Sequence, residues 1–307
     1  MPARITVVGS ANMDLVLCAH RIPVPGETLT GRSLRYVPGG KGANQAVAAA
    51  RLGAESRIVA RVGDDPFGPT LRRNFQDAGV GVDHLFDTPD TPTGIAVIIV
   101  DDNGQNTIVL AAGANGVLSP DDVKNSRGAL RNADYVLLQN EVPLESTLRA
   151  ASLAKSLGRK TLWNPAPAPE AVPSELARAV DIIIPNETEA SSLTGIPVED
   201  EGGARRAAKA LNEKGFGTVV ITLGPRGALW VRSDKAFLCP AFEVDVVDTT
   251  AAGDTFCGAL TVALAEGGKP EDAVRFACGA AALAVTKLGA QAGIPTRAEL
   301  EAFLAER

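Results

Sequence analysis

Asp248-Thr-Thr-Ala-Ala-Gly-Asp254 leads into Thr255 and an apolar segment that has helical spacing and ends at Ala265. The small residues before Asp254 let a ligand approach the backbone closely. The N-terminus of a helix presents unpaired N–H groups and a positive dipole end to an anion. A carboxylate beside a bound anion is unfavourable unless it accepts a proton or caps the helix. Asp254 is therefore either a proton acceptor next to an anion site or an ordinary N-cap, and this segment alone favours the cap.

The composition argues against several classes of partner. The 307 residues are 45% hydrophobic and carry a formal net charge of −6, and no run of Lys and Arg exceeds a pair. We therefore expect neither a nucleic-acid partner nor a membrane surface. The N-terminal residues enter a strand pattern directly, without a signal peptide, and no apolar run reaches the ~18 residues of a membrane span, which predicts a cytoplasmic protein. The four scattered cysteines are expected to be reduced.

Several common catalytic and nucleotide-binding motifs are absent from the sequence. Only two histidines occur, His20 and His84, and they are far apart. There is no G-x-S-x-G, no Walker A pattern and no G-x-G-x-x-G. These absences weaken the case for a zinc hydrolase, a serine hydrolase and the two commonest nucleotide loops.

Short runs rich in Val and Ile alternate along the chain with Ala- and Leu-rich segments of helical spacing. This alternation predicts an α/β fold with a mostly parallel central sheet flanked by helices on both faces, and ligands of such sheets bind beyond the carboxyl ends of the strands. The predicted strands are Ile5–Val8, Arg57–Val62, Tyr135–Gln139, Lys160–Trp163, Asp181–Ile184, Thr218–Thr222 and Ala228–Val231. The predicted helices are Gly42–Leu52, Pro69–Ala78, Ser146–Leu157, Ala204–Lys214, Thr255–Ala265, Pro270–Leu288 and Arg297–Ala305.

Two segments interrupt the alternation and predict a small antiparallel sheet. Residues 14–37 are extended around a Pro-rich turn, and residues 93–111 read as two apolar strands around Asp101-Asp-Asn-Gly104, a hairpin turn signal. A few strands alone are marginal in water, so this sheet needs a ligand beneath it or a second copy against it. We expect a single domain over residues 1–307, with these segments as a β lid and a homodimer formed through the lid.

Polar residues follow several of the predicted strands. Asn12 and Asp14 offer the donors and acceptors that neighbouring sugar hydroxyls need, although an Asx turn explains them equally well. Pro38-Gly-Gly-Lys41-Gly-Ala-Asn44 adds a cation and an amide at the start of an Ala-rich helix, with a plain Gly-rich loop as the alternative. Glu141 also follows a strand, and by itself it is consistent with a solvated acid.

Two further strand ends carry candidate phosphate contacts. Asn186-Glu-Thr-Glu189 has a spacing that can hold hydrated Mg²⁺ and phosphate oxygens. By spacing alone, a helix start with an acidic first turn is the simpler interpretation. The turn Thr222-Leu-Gly224-Pro-Arg-Gly227 fits either a nucleotide contact or an ordinary hairpin.

The order of these motifs resembles the ribokinase family of sugar and nucleoside kinases, which includes fructokinases and adenosine kinases. Asn-x-Asp comes first, then Gly-Gly-Lys-Gly-Ala-Asn, Asn-x-x-Glu and Asp-Thr-Thr-Ala-Ala-Gly-Asp, and the resemblance runs from Ile5 to Pro295. It implies an α/β kinase with a β lid, dimeric through the lids. The implied reaction is transfer of the γ-phosphoryl group of ATP to the 5-hydroxyl of ribose.

The resemblance also assigns roles to individual residues. Asp254 corresponds to the general base, and Ala252 and Gly253 to the anion hole. The sugar-binding positions are Asn12, Asp14, Gly40, Lys41, Asn44, Glu141 and Asp254. The ATP and Mg²⁺-phosphate positions are Asn186, Glu189, Thr222, Gly224, Gly227, Gly253 and Cys278. A K⁺ site made largely of backbone carbonyls corresponds to Asp248, Thr250, Ala284, Lys287, Gly289 and Gly293. Many relatives have Ser at position 293, so glycine removes a hydroxyl ligand there.

Two other functions stay open. A related kinase would phosphorylate fructose, 2-keto-3-deoxygluconate or a nucleoside, although only nine Phe, two Tyr and two Trp are available to hold a base. The second alternative is a non-catalytic sugar or nucleotide sensor on the same fold. The intact Asp254 and its anion turn argue against a sensor, because a sensor needs no base.

Overall fold

The architecture is that of a computed structural model, which describes residues 2–307. The strands of this range are β1 (Arg4–Val8), β2 (Asn12–Cys18), β3 (Ser33–Gly39), β4 (Glu55–Gly63), β5 (Gly81–Thr88), β6 (Gly94–Val100), β7 (Asn106–Ala111), β8 (Tyr135–Leu138), β9 (Lys160–Trp163), β10 (Ile182–Ile183), β11 (Thr218–Thr222), β12 (Ala228–Arg232) and β13 (Lys235–Cys239). The helices are α1 (Lys41–Arg51), α2 (Phe67–Asp77), α3 (Pro120–Asn125), α4 (Arg127–Asn132), α5 (Leu144–Ser156), α6 (Ser174–Ala179), α7 (Glu187–Thr194), α8 (Glu201–Glu213), α9 (Ala252–Ala265), α10 (Pro270–Ala284), α11 (Ala290–Gly293) and α12 (Arg297–Ala305).

The large sheet has nine strands in the order β13-β12-β11-β10-β9-β8-β1-β4-β5. Neighbouring strands from β11 to β5 run parallel, while β11–β12 and β12–β13 are antiparallel pairs. Successive side chains of one strand enter different cores, since Val7 belongs to the core that includes residues of α1, α9 and α10, and Val8 belongs to the core that includes residues of α5 and α8. The predicted α/β fold, with a mostly parallel sheet covered on both faces, is confirmed.

The small sheet has the order β3-β2-β6-β7 and is built from the two segments that interrupt the alternation. The outer pairs, β2–β3 and β6–β7, are antiparallel as predicted, whereas the central pair β2–β6 is parallel. This difference arises because β2 and β6 both run away from the large sheet, with Asn12 opposite Gly94 at their starts. The sheet therefore projects as one layer over the carboxyl end of β1.

Several elements differ from the sequence prediction, and the short helices α3, α4, α6 and α11 were not among the predicted ones. The strands β5 and β13 were not predicted, since they lie at the two edges of the large sheet and their burial is interrupted. The predicted helix Pro270–Leu288 ends instead at Ala284, because the chain turns there and the Val285 carbonyl accepts the N–H groups of Val247 and Asp248. Among residues 2–307, none of the helices has the length and apolar character needed to cross a membrane.

Candidate active site

The N-terminus of α9 forms one wall of the candidate site. Ala251 is the N-cap with a left-handed φ of 61°, and its carbonyl accepts the N–H of Thr255 at 2.8 Å. Asp254 is therefore inside the first turn and is not the N-cap, so the simpler interpretation of this segment is wrong. A side chain built on Gly253 would meet no atom within 4 Å, so the first turn faces open space. The Ala252 N–H donates to the Thr249 carbonyl at 3.3 Å, so the N–H groups of Gly253 and Asp254 are the ones suited to hold an anion.

The Asp254 carboxylate is buried and held by two amide side chains of α1. Asn44 Nδ2 donates to Asp254 Oδ2 at 2.9 Å, and Gln45 Nε2 donates to Asp254 Oδ1 at 3.0 Å. Only 6% of Asp254 is exposed. The base predicted from the sequence thus lies beside the Gly-Gly-Lys-Gly-Ala-Asn motif, across 210 residues of chain.

More distant amides hold these two donors in turn. Gln45 also contacts Asn164 and Gln139, while Asn44 Oδ1 accepts from Gln291 Nε2 at 3.2 Å. Sequence reasoning did not assign a role to Gln45, Gln139 or Gln291. The available signal was a polar side chain inside an otherwise apolar element, such as Gln45 in the Ala-rich helix α1.

The residues predicted to bind sugar converge near the start of the small sheet. Asn12 Oδ1 accepts from Asn115 Nδ2 at 2.6 Å, which fixes that amide. Asp14 is 8% exposed, and its Oδ1 atom has no hydrogen-bond partner within residues 2–307. Burial, followed by the charges of Glu141 and Asp254, raises the pKa of Asp14 to about 7. A buried acceptor without a partner is what a site for a hydroxyl-rich ligand would leave open.

Glu141 connects Ser10, which follows β1, with Lys41 at the start of α1. Glu141 Oε2 accepts the Ser10 hydroxyl at 2.6 Å and the backbone N–H of Lys41 at 2.9 Å. The Asp254 carboxylate raises the pKa of the Lys41 ammonium against the opposing effect of burial, and Glu141 and Glu189 add to this increase. Gly40, with φ of 90°, lies so close to the backbone of Asn12 that a side chain would clash there.

The candidate nucleotide residues surround the end of β10. Asn186 and Glu189 form a capping box at the start of α7, so the helix-start interpretation is correct. Asn186 also bridges to Thr222 at the end of β11. Burial raises the pKa of Glu189, with the Asp254 charge adding to the increase, although the backbone N–H of Asn186 and the charge of Lys41 oppose it. Glu189 therefore lies within the electrostatic reach of Lys41 and Asp254.

The turn after β11 is a hairpin that packs against β13. Gly224 and Gly227 have φ of 53° and 99°, and a side chain on Gly227 would overlap the Cys239 carbonyl. Cys278 is buried in α10 and contacts the Cys239 thiol, and this contact lowers the pKa of Cys239 to about 7. The hairpin interpretation is thus correct, and the proposed nucleotide positions Gly227 and Cys278 are linked through Cys239.

The candidate cation loops lie next to the first turn of α9. Asp248 Oδ1 accepts the N–H and hydroxyl of Thr250, and Oδ2 accepts the Gly289 N–H at 2.8 Å. Lys287 Nζ donates to Glu299 Oε1 at 2.9 Å, and because an ammonium group cannot bind a cation, the Lys287 carbonyl is the candidate ligand. The two carboxylate oxygens of Asp248 thus hold the loop before α9 through Thr250 and Gly289. No cluster of three or more His, Cys, Asp or Glu side chains that could hold a metal exists within residues 2–307.

Comparisons with known proteins bear on the whole chain. The profile described as pfkB family carbohydrate kinase matches residues 2–297. The chain is 45% identical to the ribokinase of Haemophilus influenzae over 304 residues, which cover 99% of each protein. It is 38% identical to the deoxyribokinase of Salmonella typhi over 300 residues, or 98% of each protein. The structure of Arabidopsis thaliana ribokinase complexed with ribose and ATP superposes with a TM-score of 0.92 at 35% identity and covers 99% of both chains.

Proposed function

Because the chain belongs to the pfkB family of carbohydrate kinases, we propose that it is an ATP-dependent ribokinase. In this reaction D-ribose and ATP give D-ribose 5-phosphate and ADP. The observation that carries the proposal is the position of Asp254. Its carboxylate lies in the first turn of a helix that faces open space, within the electrostatic reach of Asp14, Lys41 and Glu189.

The chemistry follows from positioning and charge. The side chains of Asn12, Asp14 and Asn44, with the Gly40–Lys41 backbone and Glu141, hold the sugar with one hydroxyl directed at the γ-phosphate. As the new P–O bond forms, Asp254 accepts the hydroxyl proton and ADP carries away the electron pair of the broken P–O bond. The N–H groups of Gly253 and Asp254 and the dipole of α9 stabilise the charge on the transferring group. Phosphoryl transfer depends mainly on such positioning and charge stabilisation, so no nucleophilic side chain is required.

The nucleotide region is suited to ATP with Mg²⁺. We assign Asn186, Glu189, Thr222, Gly224, Gly227 and Cys278 to the nucleotide side. Both Glu189 oxygens accept hydrogen bonds within the capping box, so this carboxylate suits a hydrated ion better than direct coordination. When bound, Mg²⁺ supplies charge neutralisation of the phosphate oxygens.

We also propose a K⁺ site between the loop that precedes α9 and the loop that follows α10. The ligands would be largely carbonyls of Asp248, Thr250, Ala284, Lys287, Gly289 and Gly293, which suit a large, weakly hydrated ion. When bound, this ion supplies fixed positive charge that orders the loop before Ala252. We further propose a cytoplasmic homodimer joined through the small sheet, with no nucleic-acid or membrane partner.

A substrate panel tests the proposed function. Purified protein is assayed with ATP and Mg²⁺ against ribose, 2-deoxyribose, fructose, 2-keto-3-deoxygluconate and adenosine, with ADP formation as the readout. We expect the highest kcat/KM with ribose, because a site lined with buried polar groups rejects ligands that leave those groups unpaired. The 2-deoxyribose arm measures how far the site resembles that of a deoxyribokinase. Fructose or adenosine in first place would move the protein to another sugar or nucleoside kinase, and no turnover at all would favour a sensor.

A further inference from the structure

Gln45 of α1 is completely buried. Its side chain lies beneath Asp254, against Gln139 and Asn164 at the ends of β8 and β9. Its side chain is shielded from any substrate, yet it contacts the proposed base directly. We infer that Gln45 is a positioning residue that fixes the Asp254 carboxylate in the orientation that accepts the sugar proton. This inference rests on the proposed kinase function and deepens it.

The direction of the hydrogen bonds is set by a backbone carbonyl. The Ile184 carbonyl can only accept, so Asn164 must present Nδ2 to it, at 2.9 Å. Asn164 Oδ1 then faces Gln45, which must present Nε2 in turn, at 3.3 Å. The same Nε2 atom carries a second hydrogen, and that hydrogen reaches Asp254 Oδ1. The chain of amides therefore delivers a donor to the carboxylate.

Gln139 contacts the other end of the Gln45 amide. Gln139 Nε2 donates to Gln45 Oε1, so both ends of the Gln45 amide are committed. If the Gln45 amide turned over, its oxygen would face the acceptor oxygens of Asn164 and Asp254, whichever way the Gln139 amide pointed. Each such mismatch leaves a buried polar group unpaired, at about 1–3 kcal/mol. The observed direction is thus strongly preferred.

The consequence for the reaction is a fixed carboxylate plane. Asn44 holds one oxygen of Asp254 and Gln45 holds the other, so rotation of the carboxylate breaks a buried hydrogen bond on either side. Loss of Gln45 releases one side only. Because small displacements of a catalytic group cost up to about 100-fold in rate, the effect is expected in kcat. The sugar contacts of Asn12, Asp14 and Glu141 do not involve Gln45, so the KM for the sugar should change little.

The main experiment compares two substitutions of Gln45 with a matched surface control. Gln45→Met keeps the length of the side chain without its hydrogen bonds, and Gln45→Glu replaces the donor by an acceptor. We expect kcat to fall roughly 10- to 100-fold in both, with the KM values for sugar and ATP within about threefold of the unmodified protein. Gln76→Glu, the same change on the exposed side of α2, should leave kcat and KM unaltered.

A double-mutant cycle separates positioning from general loss of packing. Gln139→Met should lower kcat in the native background, because it removes the donor that holds Gln45 Oε1 and so loosens the Gln45 side chain beneath Asp254. In the Gln45→Met background it should have almost no further effect on kcat, while its effect on thermal stability remains. If both Gln45 variants fail to fold, the Gln139→Met variant alone tests the inference through its split between kcat and KM.

Two outcomes would overturn the inference. A kcat within about twofold of the unmodified protein in folded Gln45→Met shows that Asp254 needs no such support. Additive effects of the Gln45 and Gln139 substitutions on kcat show that Gln139 does not act through Gln45. Both outcomes require an active unmodified protein, so they are distinct from failure of the proposed function, in which the unmodified protein phosphorylates none of the sugars.

Discussion

Asp254 combines two properties that a general base needs, namely a fixed orientation and proximity to a helix N-terminus that can hold an anion. Its two oxygens accept one amide each, and those amides come from consecutive residues of α1. The first turn of α9 carries both the carboxylate and the N–H groups, so the proposed base and the proposed anion hole belong to one rigid unit. This geometry would tie the position of the proposed base to that of a phosphoryl group bound at the first turn.

Replacement of the base is the most direct test at the residue scale. We expect Asp254→Asn to lower kcat by roughly 10²- to 10⁴-fold, the usual range for loss of a general base. One amide donor of Asn44 or Gln45 then faces the new NH₂ group, so we expect a loss of about 1–2 kcal/mol in stability, with the fold retained. Steady-state kinetics and thermal unfolding of the same preparation measure both effects. Turnover within about tenfold of the unmodified protein would exclude Asp254 as the base.

Asp14 predicts a dependence of stability on pH. Its pKa is raised to about 7, so the folded state binds a proton that the unfolded state has already lost above pH ~4. The favourable contribution of the protonated carboxyl is therefore fully present below pH ~4 and is lost as the pH rises through about 7.

The variant Asp14→Asn removes this titration. We expect its free energy of unfolding, relative to the unmodified protein, to be higher at pH 8 than at pH 5 by on the order of 1–3 kcal/mol. The kcat/KM for ribose should fall by roughly 10- to 100-fold, because the sugar loses a charged acceptor. Urea unfolding without ligand at both pH values gives the first quantity. Asp234→Asn, at an exposed turn between β12 and β13, is the control, and equal behaviour of the two variants would contradict the prediction.

The sequence located the strand ends at which the polar side chains converge, but not the amides that support them. Asn44 and Asp254 belong to motifs with recognisable spacing. Gln139 and Gln291 act on α1 from 94 and 247 residues away, so no local spacing reveals them. A buried glutamine between apolar residues indicates only that a partner exists, and the partner's identity requires the tertiary structure.

Elements that lie at an edge were also the least predictable. The strands β5 and β13 end the large sheet, so one side of each is partly exposed and the apolar run is broken. The parallel pairing of β2 with β6 depends on the direction in which two separate segments leave the large sheet, and neither segment encodes it alone. By contrast, the central strands are buried on both faces and their continuous apolar runs were sufficient.

The candidate cation loops give a prediction at the scale of elements. Gly289 is the N-cap of α11, and the Asp248 carboxylate accepts its N–H across the turn that follows α10. An ion at these loops would therefore stiffen the segment before Ala252. We expect the initial rate to rise several-fold with KCl, and to rise less with NaCl or choline chloride at matched ionic strength. Equal rates in the three salts would mean that these loops do not bind K⁺.

Gly293 limits how this site can be altered. A side chain there would come within 2.5 Å of the Ala284 carbonyl, which is itself a proposed cation ligand. We therefore expect Gly293→Ser to displace that carbonyl, to lower thermal stability and to reduce the response to KCl. Gly128→Ser is the matched control, because a side chain at Gly128 in α4 meets no atom within 4 Å. A stronger K⁺ response in Gly293→Ser would show instead that the hydroxyl serves as a ligand.

At the scale of the whole molecule, the small sheet exposes apolar side chains that its own chain leaves uncovered. The strand β7 pairs with β6 alone, and Ile108, Val109 and Leu110 are 52%, 64% and 51% exposed. Leu110 lies opposite Ala96, which lies opposite Asp14, so Ile108 and Leu110 share the face that carries the Asp14 carboxylate. Val109 lies on the other face, with Val97. A ligand can cover only the first face, which leaves the second face and the free edge for a second copy.

We therefore expect a homodimer whose dissociation constant rises roughly 10- to 100-fold in Val109→Lys, because a charge is buried in an apolar contact. Sedimentation velocity over a range of protein concentrations measures this change, and Gln105→Lys, the same charge in the turn before β7, should leave it unaltered. Since β2 carries Asn12 and Asp14 in the same sheet, weakening the dimer should also raise the KM for the sugar more than it lowers kcat. A protein that is monomeric at every concentration, or a Val109→Lys variant that dimerises normally, would show that the small sheet serves as a lid without joining two copies.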